Sequence, residues 1–272
     1  MQKIIAALFI SVSCLSARPD SSPALAGIAH VAFRVSDVEK SREFYRALGF
    51  EQAFEIKDPG KPEVSYIKIN DHQFIELYGR ANDSQPTGLL HVCYEAADIE
   101  SLWNEYVKSG LNPPPGRKAH AGNLLFILHD PEGQTLECTQ YLPGSLHSED
   151  RGKHLSNRRV SQHLFRAVLP VRDVNAEHAF YTSRLGFQNV LSSGTIRMRL
   201  PGNSSDEIEL EVSTPQTKPR IAFTVANLAR TAETLRSRSF DVKAGSDSIS
   251  ITDPDGTVIL FMLEKSSLSG TR

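Results

Sequence analysis

The chain has 272 residues, 40% of them apolar, enough for two domains of ordinary size with real cores. Its 30 basic and 32 acidic side chains leave a formal charge of -2, which gives no electrostatic reason to expect nucleic acid or an anionic membrane surface as a partner. No stretch carries the roughly 20 apolar residues that a membrane-spanning helix needs.

At the N-terminus, Lys3 precedes the apolar run Ile4 to Ile10, and small residues follow as far as Ala17. Charge, apolar core and small-residue exit are the parts of an export signal. Residues 1–26 are therefore read as a signal and N-terminal extension, cut after Ala17 or after the run Ala24-Leu25-Ala26. The protein is then secreted or periplasmic, and cytoplasmic if the segment is retained. Cleavage would leave Cys93 and Cys138, read as two buried free thiols in preference to one disulfide.

Ile28 to Val35 reads as a strand, with His30 near its start. Ser36-Asp37-Val38-Glu39 is a capping-box pattern, predicting a helix to about Leu48 that stops at Gly49. Strands are predicted near residues 51–56, 63–69 and 73–78, separated by the turn residues Pro59-Gly60 and Asn70-Asp71. The same order begins again at Leu89 to Tyr94 with a helix from Asp98 to Gly110. Pro113-Pro114-Pro115-Gly116 forces an irregular connection, and strands over 124–129 and 134–140 flank the turn Asp130-Pro131-Glu132-Gly133. Residues 143–161 are rich in Ser, His, Arg and Asp and read as a linker. Beyond it, Val171-Arg172-Asp173-Val174 repeats Val35-Ser36-Asp37-Val38, and Leu185-Gly186-Phe187 repeats Leu48-Gly49-Phe50. Asp253-Pro254-Asp255-Gly256 repeats the turn at Asp130. Separated features that keep their order point to four βαβββ modules, paired into α+β domains at 27–142 and 162–265. Residues 202–207 fit either a loop or the start of a strand.

His30 and Glu76 lie 46 residues apart, and so do His91 and Glu137. Each of the four sits in a short apolar strand whose alternate side chains share one face. A lone strand histidine is more often a hydrogen-bonded core residue, and a lone strand glutamate more often exposed or ion-paired. The doubled spacing instead favours His30, Glu76, His91 and Glu137 as ligands of one divalent metal ion, since buried carboxylates need compensation. Zn, Ni, Co, Mn and Fe(II) all accept such a set. Module alignment puts Arg166 at the position of His30, Arg220 at that of His91, Leu260 at that of Glu137, and Glu209 or Glu211 at that of Glu76. The second domain is predicted to keep the fold without the metal.

The phrases His-Val-Ala-Phe-Arg-Val-Ser-Asp at 30–37, Phe-Tyr-Arg-Ala-Leu-Gly-Phe at 44–50, and Asp-Pro-Glu-Gly at 130–133 with Leu-Glu at 136–137 resemble the vicinal oxygen chelate (VOC) superfamily. That superfamily includes glyoxalase I, bleomycin-resistance proteins, methylmalonyl-CoA epimerase and extradiol dioxygenases. The resemblance covers about residues 27–264 and is specific for the superfamily, not for one member. It implies two VOC domains, each pair of modules forming a cupped mixed sheet around one site. It also implies that His30, Glu76, His91 and Glu137 occupy the metal positions of glyoxalase-type enzymes. In such enzymes the metal holds adjacent substrate oxygens and stabilises an enediolate formed by proton abstraction. Glu137 is the first candidate for the base and Glu76 the second.

The leading reading is a metal-dependent lyase or isomerase acting on a small molecule with adjacent oxygens. One alternative is an extradiol-type iron(II) dioxygenase using His30, His91 and Glu137. Glu76 would then be a surplus carboxylate, and the resemblance implies an active set in the second domain instead. The other alternative is a binding or resistance protein, a class that often lacks the metal residues. Arg117, Lys118 and His120 either meet an anionic substrate or form an ordinary basic loop, the commoner case. Nothing in the sequence fixes the oligomeric state.

Overall fold

The computed structural model describes residues 25–192 and 194–264. The export signal expected at residues 1–26 therefore lies, except for Leu25 and Ala26, outside the described residues. In chain order the first half runs β1 (Leu25–Val35), α1 (Val38–Ala47), β2 (Glu51–Ile56), β3 (Val64–Lys68), β4 (Phe74–Gly79), β5 (Gly88–Ala96), α2 (Ile99–Lys108), β6 (Arg117–Lys118), β7 (Leu124–His129), β8 (Thr135–Gln140) and α3 (Leu146–Glu149). The second half runs β9 (Leu164–Val171), α4 (Val174–Ser183), β10 (Gln188–Val190), β11 (Ile196–Arg199), β12 (Glu207–Val212), β13 (Arg220–Val225), α5 (Leu228–Ser237), β14 (Lys243–Ala244), β15 (Ser248–Thr252) and β16 (Val258–Leu263).

Each half builds one mixed eight-stranded sheet, in the order β2-β3-β4-β1-β5-β8-β7-β6 and β10-β11-β12-β9-β13-β16-β15-β14. Within a module the first strand lies parallel to its own last strand, as β1 does to β4 and β5 to β8. The two modules join through the antiparallel pair β1–β5. The four central strands of the first sheet are thus β4, β1, β5 and β8. These are two VOC-type cups with few helices.

The helices start where short acceptors can cap them. Asp37 accepts from the Lys40 amide and Asp98 from the amides of Glu100 and Ser101. Gly49 ends α1 with φ +89, and a Cβ there would run into the backbone of Arg158, so glycine alone fits. Residues 202–206, left open between loop and strand, form a loop, and β12 starts at Glu207.

One face of each sheet is apolar. Val31, Phe33, Ile75, Leu77, Val92 and Leu136 pack with Tyr45, Leu48, Leu102 and Tyr106 of the helical connections. A single buried cluster continues into the second half, where Phe50 stacks on Phe223 at 5.4 Å and Tyr94 meets Phe187 edge-on at 5.6 Å. Burying each such side chain contributes about 1.5–3 kcal/mol. The Asp-Pro turns tie the halves reciprocally. Glu132 accepts from the amides of Arg172 and Asp173 ahead of α4, and Asp255 accepts from the Ser36 amide ahead of α1.

The stretch read as a linker folds back onto the first sheet. Its His147 and Asp150 are buried. Lys68, fully buried at the end of β3, donates to the Asp150 carbonyl at 2.5 Å and to its carboxylate at 2.7 Å, and pairs with Asp71 at 2.8 Å. The Gly152 amide donates to Asp71 at 2.8 Å. The segment is anchored by these polar contacts and carries few apolar residues, so it leaves no apolar periodicity to read.

Candidate metal centre

Sheet register explains why four distant residues meet. On β1 and β4, Ala32 stands opposite Glu76, one step along the same face from His30. On β1 and β5, Ala32 also faces His91, and His30 faces Cys93. On β5 and β8, Cys93 faces Glu137. Each of the four central strands therefore contributes one candidate ligand to the concave face, opposite the apolar core.

The side chains converge. His30 Nε2 lies 3.0 Å from His91 Nε2 and 3.8 Å from Glu137 Oε1. His30 Nδ1 lies 3.4 Å from Glu76 Oε1, and His91 Nε2 lies 3.9 Å from Glu76 Oε2. Two overlapping triads have ligand atoms within 4.8 Å of one another: His30, Glu76 and His91, and His30, Cys93 and Glu137. His30 is the member common to both, so Glu137 joins the group through it. Glu76 is held by the Tyr78 hydroxyl, which donates to Oε2 at 3.0 Å. The Cys93 thiol approaches Glu137 Oε1 at 3.5 Å.

Burial dominates the electrostatics. It holds His30 well below the usual histidine range, with His91 and His147 adding to the shift, and it lowers His91 to about 4. It drives Glu76 well above the usual carboxylate range, helped by Glu137 and opposed by Tyr78. It raises Glu137 to about 7, opposed by the Cys93 thiol and by the charge of Arg117. Without a cation the pocket would therefore hold two uncharged imidazoles and two carboxyls that resist ionising. His30 Nδ1 is buried with no hydrogen bond. A divalent ion answers these features together, because it takes neutral imidazole lone pairs and compensates buried carboxylates. The residues present fit such an ion.

His30, Glu76 and Glu137 line a cavity of about 190 Å³ together with Tyr66, Arg117, His120, Asn123 and His147, whereas His91 is not part of its lining. Arg117 and His120 thus reach the cavity, as the reading of that loop allowed, whereas Lys118 is not among its lining residues. His120 is within 3.4 Å of Asp58, and Arg117 has no ion-pair partner among the described residues. A larger crevice of about 710 Å³ includes His72, Glu95, His163 and Asp206. There the acids are already tied to histidines, at 2.9 Å for Glu95 and 2.6 Å for Asp206, so no free donor set converges.

The second sheet has the same strand order and a different filling. Val168 faces both Glu209 and Arg220, the register that Ala32 has with Glu76 and His91, so Glu209 and not Glu211 is the counterpart of Glu76. Arg166 occupies the place of His30 and donates to Glu207 at 2.7 Å and Glu209 at 2.9 Å. Arg220 pairs with Glu211 at 3.0 Å. Ala222 faces Leu260, as Cys93 faces Glu137. Guanidinium groups compensate the acids here.

Cys93 and Cys138 are buried free thiols. Sequence reasoning missed His147 and Asn123 as cavity residues. The signal available for His147 was Gly144-Ser145, since Ser145 caps α3.

Residues 27–138 match the family model described as Glyoxalase/Bleomycin resistance protein/Dioxygenase superfamily. No curated protein sequence matches the chain. Among solved structures, the Mn(II)-bound glyoxalase from Novosphingobium aromaticivorans is similar with a TM-score of 0.68 and 17% identity, over 88% of this chain and 82% of that one. The 2,3-dioxygenase LapB from Pseudomonas sp. KL28 gives 0.65 and 16%, over 90% and 94%. An extradiol ring-cleaving dioxygenase from B. fuscum gives 0.63 and 17%, over 91% and 75%. The first half of the chain carries the superfamily's domain, and at these identities the likeness to each structure is one of fold.

Proposed function

We propose that the first cup is the active site of a metal-dependent lyase or isomerase acting on a small molecule with adjacent oxygens. The observation that carries this reading is the convergence of two uncharged imidazoles with two carboxyls, one of them raised to about 7. His30, Glu76, His91 and Glu137 would hold one divalent ion. When bound, the ion supplies Lewis-acid polarisation of substrate oxygens.

The chain's own residues divide the remaining work. Tyr78 fixes Glu76, which suits a permanent anchor. Among the described residues no hydroxyl donates to Glu137, which leaves it the freer carboxylate to take a proton from carbon and return it to the neighbouring carbon. Cys93 beside it stays a neutral thiol, its pKa raised by burial and by the adjacent acids.

One observation favours an extradiol-type dioxygenase as a second reading. His30, Glu76 and His91 form a two-histidine, one-carboxylate triad, the donor set of many non-haem iron oxygenases. Glu137 would then be surplus. The test is turnover of 2-oxoaldehydes, hydroxy acids and catechols by metal-reconstituted protein, with and without air. Oxygen-independent isomerisation or lyase products are expected. Stoichiometric oxygen consumption with catechol cleavage would favour the second reading, and tight binding without turnover would indicate a binding protein.

Lys3, the apolar run after it and the small residues near Ala17 support export of the mature protein. N-terminal sequencing of natively produced protein should find a start downstream of Ala17; an intact Met1 in active cytoplasmic protein would reject export.

A further inference from the structure

The segment that folds back over the first sheet delivers His147 to the cavity wall. Its imidazole is 2% exposed, stacks on Tyr141 at 4.5 Å, and stands edge-on to Phe54, Phe74 and Tyr66. Nδ1 lies 3.0 Å from the Asn123 side-chain oxygen. An amide oxygen only accepts, so Nδ1 must carry the hydrogen and Nε2 is left with a lone pair.

That lone pair is buried and has no hydrogen-bond donor. No neighbouring group supplies one, the Tyr66 hydroxyl included. Lys68 has three donors, and Asp150 and Asp71 take them through the carbonyl and two carboxylates. The Tyr141 hydroxyl donates to the His72 carbonyl at 3.3 Å. Phe54 and Phe74 have nothing to donate. The ring cannot relieve the deficit by taking up a proton. Burial, with Lys68 adding to it, lowers its pKa to about 3. A buried acceptor left unmade costs about 1–3 kcal/mol, so a partner arriving through the cavity gains from finding it.

We propose that His147, oriented by Asn123, is a specificity-determining residue that accepts a hydrogen bond from a substrate hydroxyl lying beyond the two oxygens at the metal centre. The inference rests on the function proposed above and narrows its substrate class to small hydroxylated carbonyl compounds, such as hydroxyaldehydes, hydroxyketones and hydroxy acids. The cavity of about 190 Å³ suits a substrate of a few carbons.

Two probes with the same chelating head test this: acetohydroxamate and glycolohydroxamate, which differ by one hydroxyl. They are titrated into the Co(II)-loaded full chain and followed by the visible cobalt bands. Wild type should bind glycolohydroxamate about tenfold more tightly, the value of one net hydrogen bond. His147→Phe, which keeps a ring in the aromatic box, should bring the ratio near one with little change for acetohydroxamate. His147→Gln, which retains an acceptor, should keep part of the preference. An undiminished preference in His147→Phe, or none in wild type, overturns the inference.

A second readout needs no metal. Long-range nitrogen-15 NMR of the metal-free chain should show His147 protonated at Nδ1 only, from pH 5 to 8. A hydrogen on Nε2 overturns the inference even if the metal and both hydroxamates bind. Failure of both hydroxamates to shift the wild-type cobalt bands, with the Nδ1–H tautomer in place, overturns the chelating function, and the inference with it.

Discussion

Loading a divalent ion should drive a proton off Glu137, and its number can be worked out in advance. Burial raises this carboxyl to about 7. At that value it is about 0.9 protonated at pH 6 and about 0.1 at pH 8. Metal ligation requires the carboxylate, so uptake releases about 0.9 proton from Glu137 at the lower pH and about 0.1 at the higher. The sign follows: the Glu137 contribution to affinity rises with pH through about 7 and then levels off. Glu137 alone makes it about tenfold from pH 6 to 8, equal to about 1.4 kcal/mol. His91, lowered to about 4, and His30, lowered as well, are already neutral in this window and release nothing. Glu76 is raised in the same direction as Glu137 and adds its own release. Calorimetric titration of Mn(II) or Zn(II) in buffers of differing ionisation enthalpy counts the protons. Glu137→Gln should release about 0.9 fewer at pH 6. Equal release by wild type and variant, or an affinity flat from pH 6 to 8, would refute the assignment of Glu137 as a ligand.

Asp150→Ala should cost about 3 kcal/mol in urea unfolding, because it removes the buried carboxylate paired with the Lys68 ammonium and leaves it the backbone carbonyl of residue 150 and the part-exposed Asp71; a loss below about 1 kcal/mol would mean that this contact does not hold the crossing segment down. Arg166→Met should cost a similar amount, about 3 kcal/mol, by removing the guanidinium closest to the buried Glu207 and Glu209, with Arg197 and Arg220 farther off at 3.7 Å, and should leave metal stoichiometry unchanged. Loss of the metal in Arg166→Met would put the centre in the wrong sheet.

The site is legible in the sequence to the extent that its physics is local. Alternation along β1, β4, β5 and β8 already assigns His30, Glu76, His91 and Glu137 to matching positions, and parallel pairing within each module brings them to one face. Asp37 and Asp98 announce their helices because capping is a contact over two or three residues. Register between distant strands is not local, so only the structure separates Glu209 from Glu211. The same holds for His147. Its segment is fixed by Lys68 and Asp150, 82 residues apart, and its four-residue helix is too short to carry a periodic signal. A polar stretch reads as solvated linker unless the buried lysine that anchors it is known.

The central claim is that the first sheet, and not the second, holds one divalent ion through His30, Glu76, His91 and Glu137. Elemental analysis of the full chain, purified without chelator, tests it most directly. Wild type and Arg220→Ala should each carry about one ion per chain, by the two-imidazole, two-carboxylate donor set of a single site. His91→Ala and Glu137→Ala, with circular dichroism confirming their folds, should each lose most of it. Full retention of the ion in both of those variants would contradict the account.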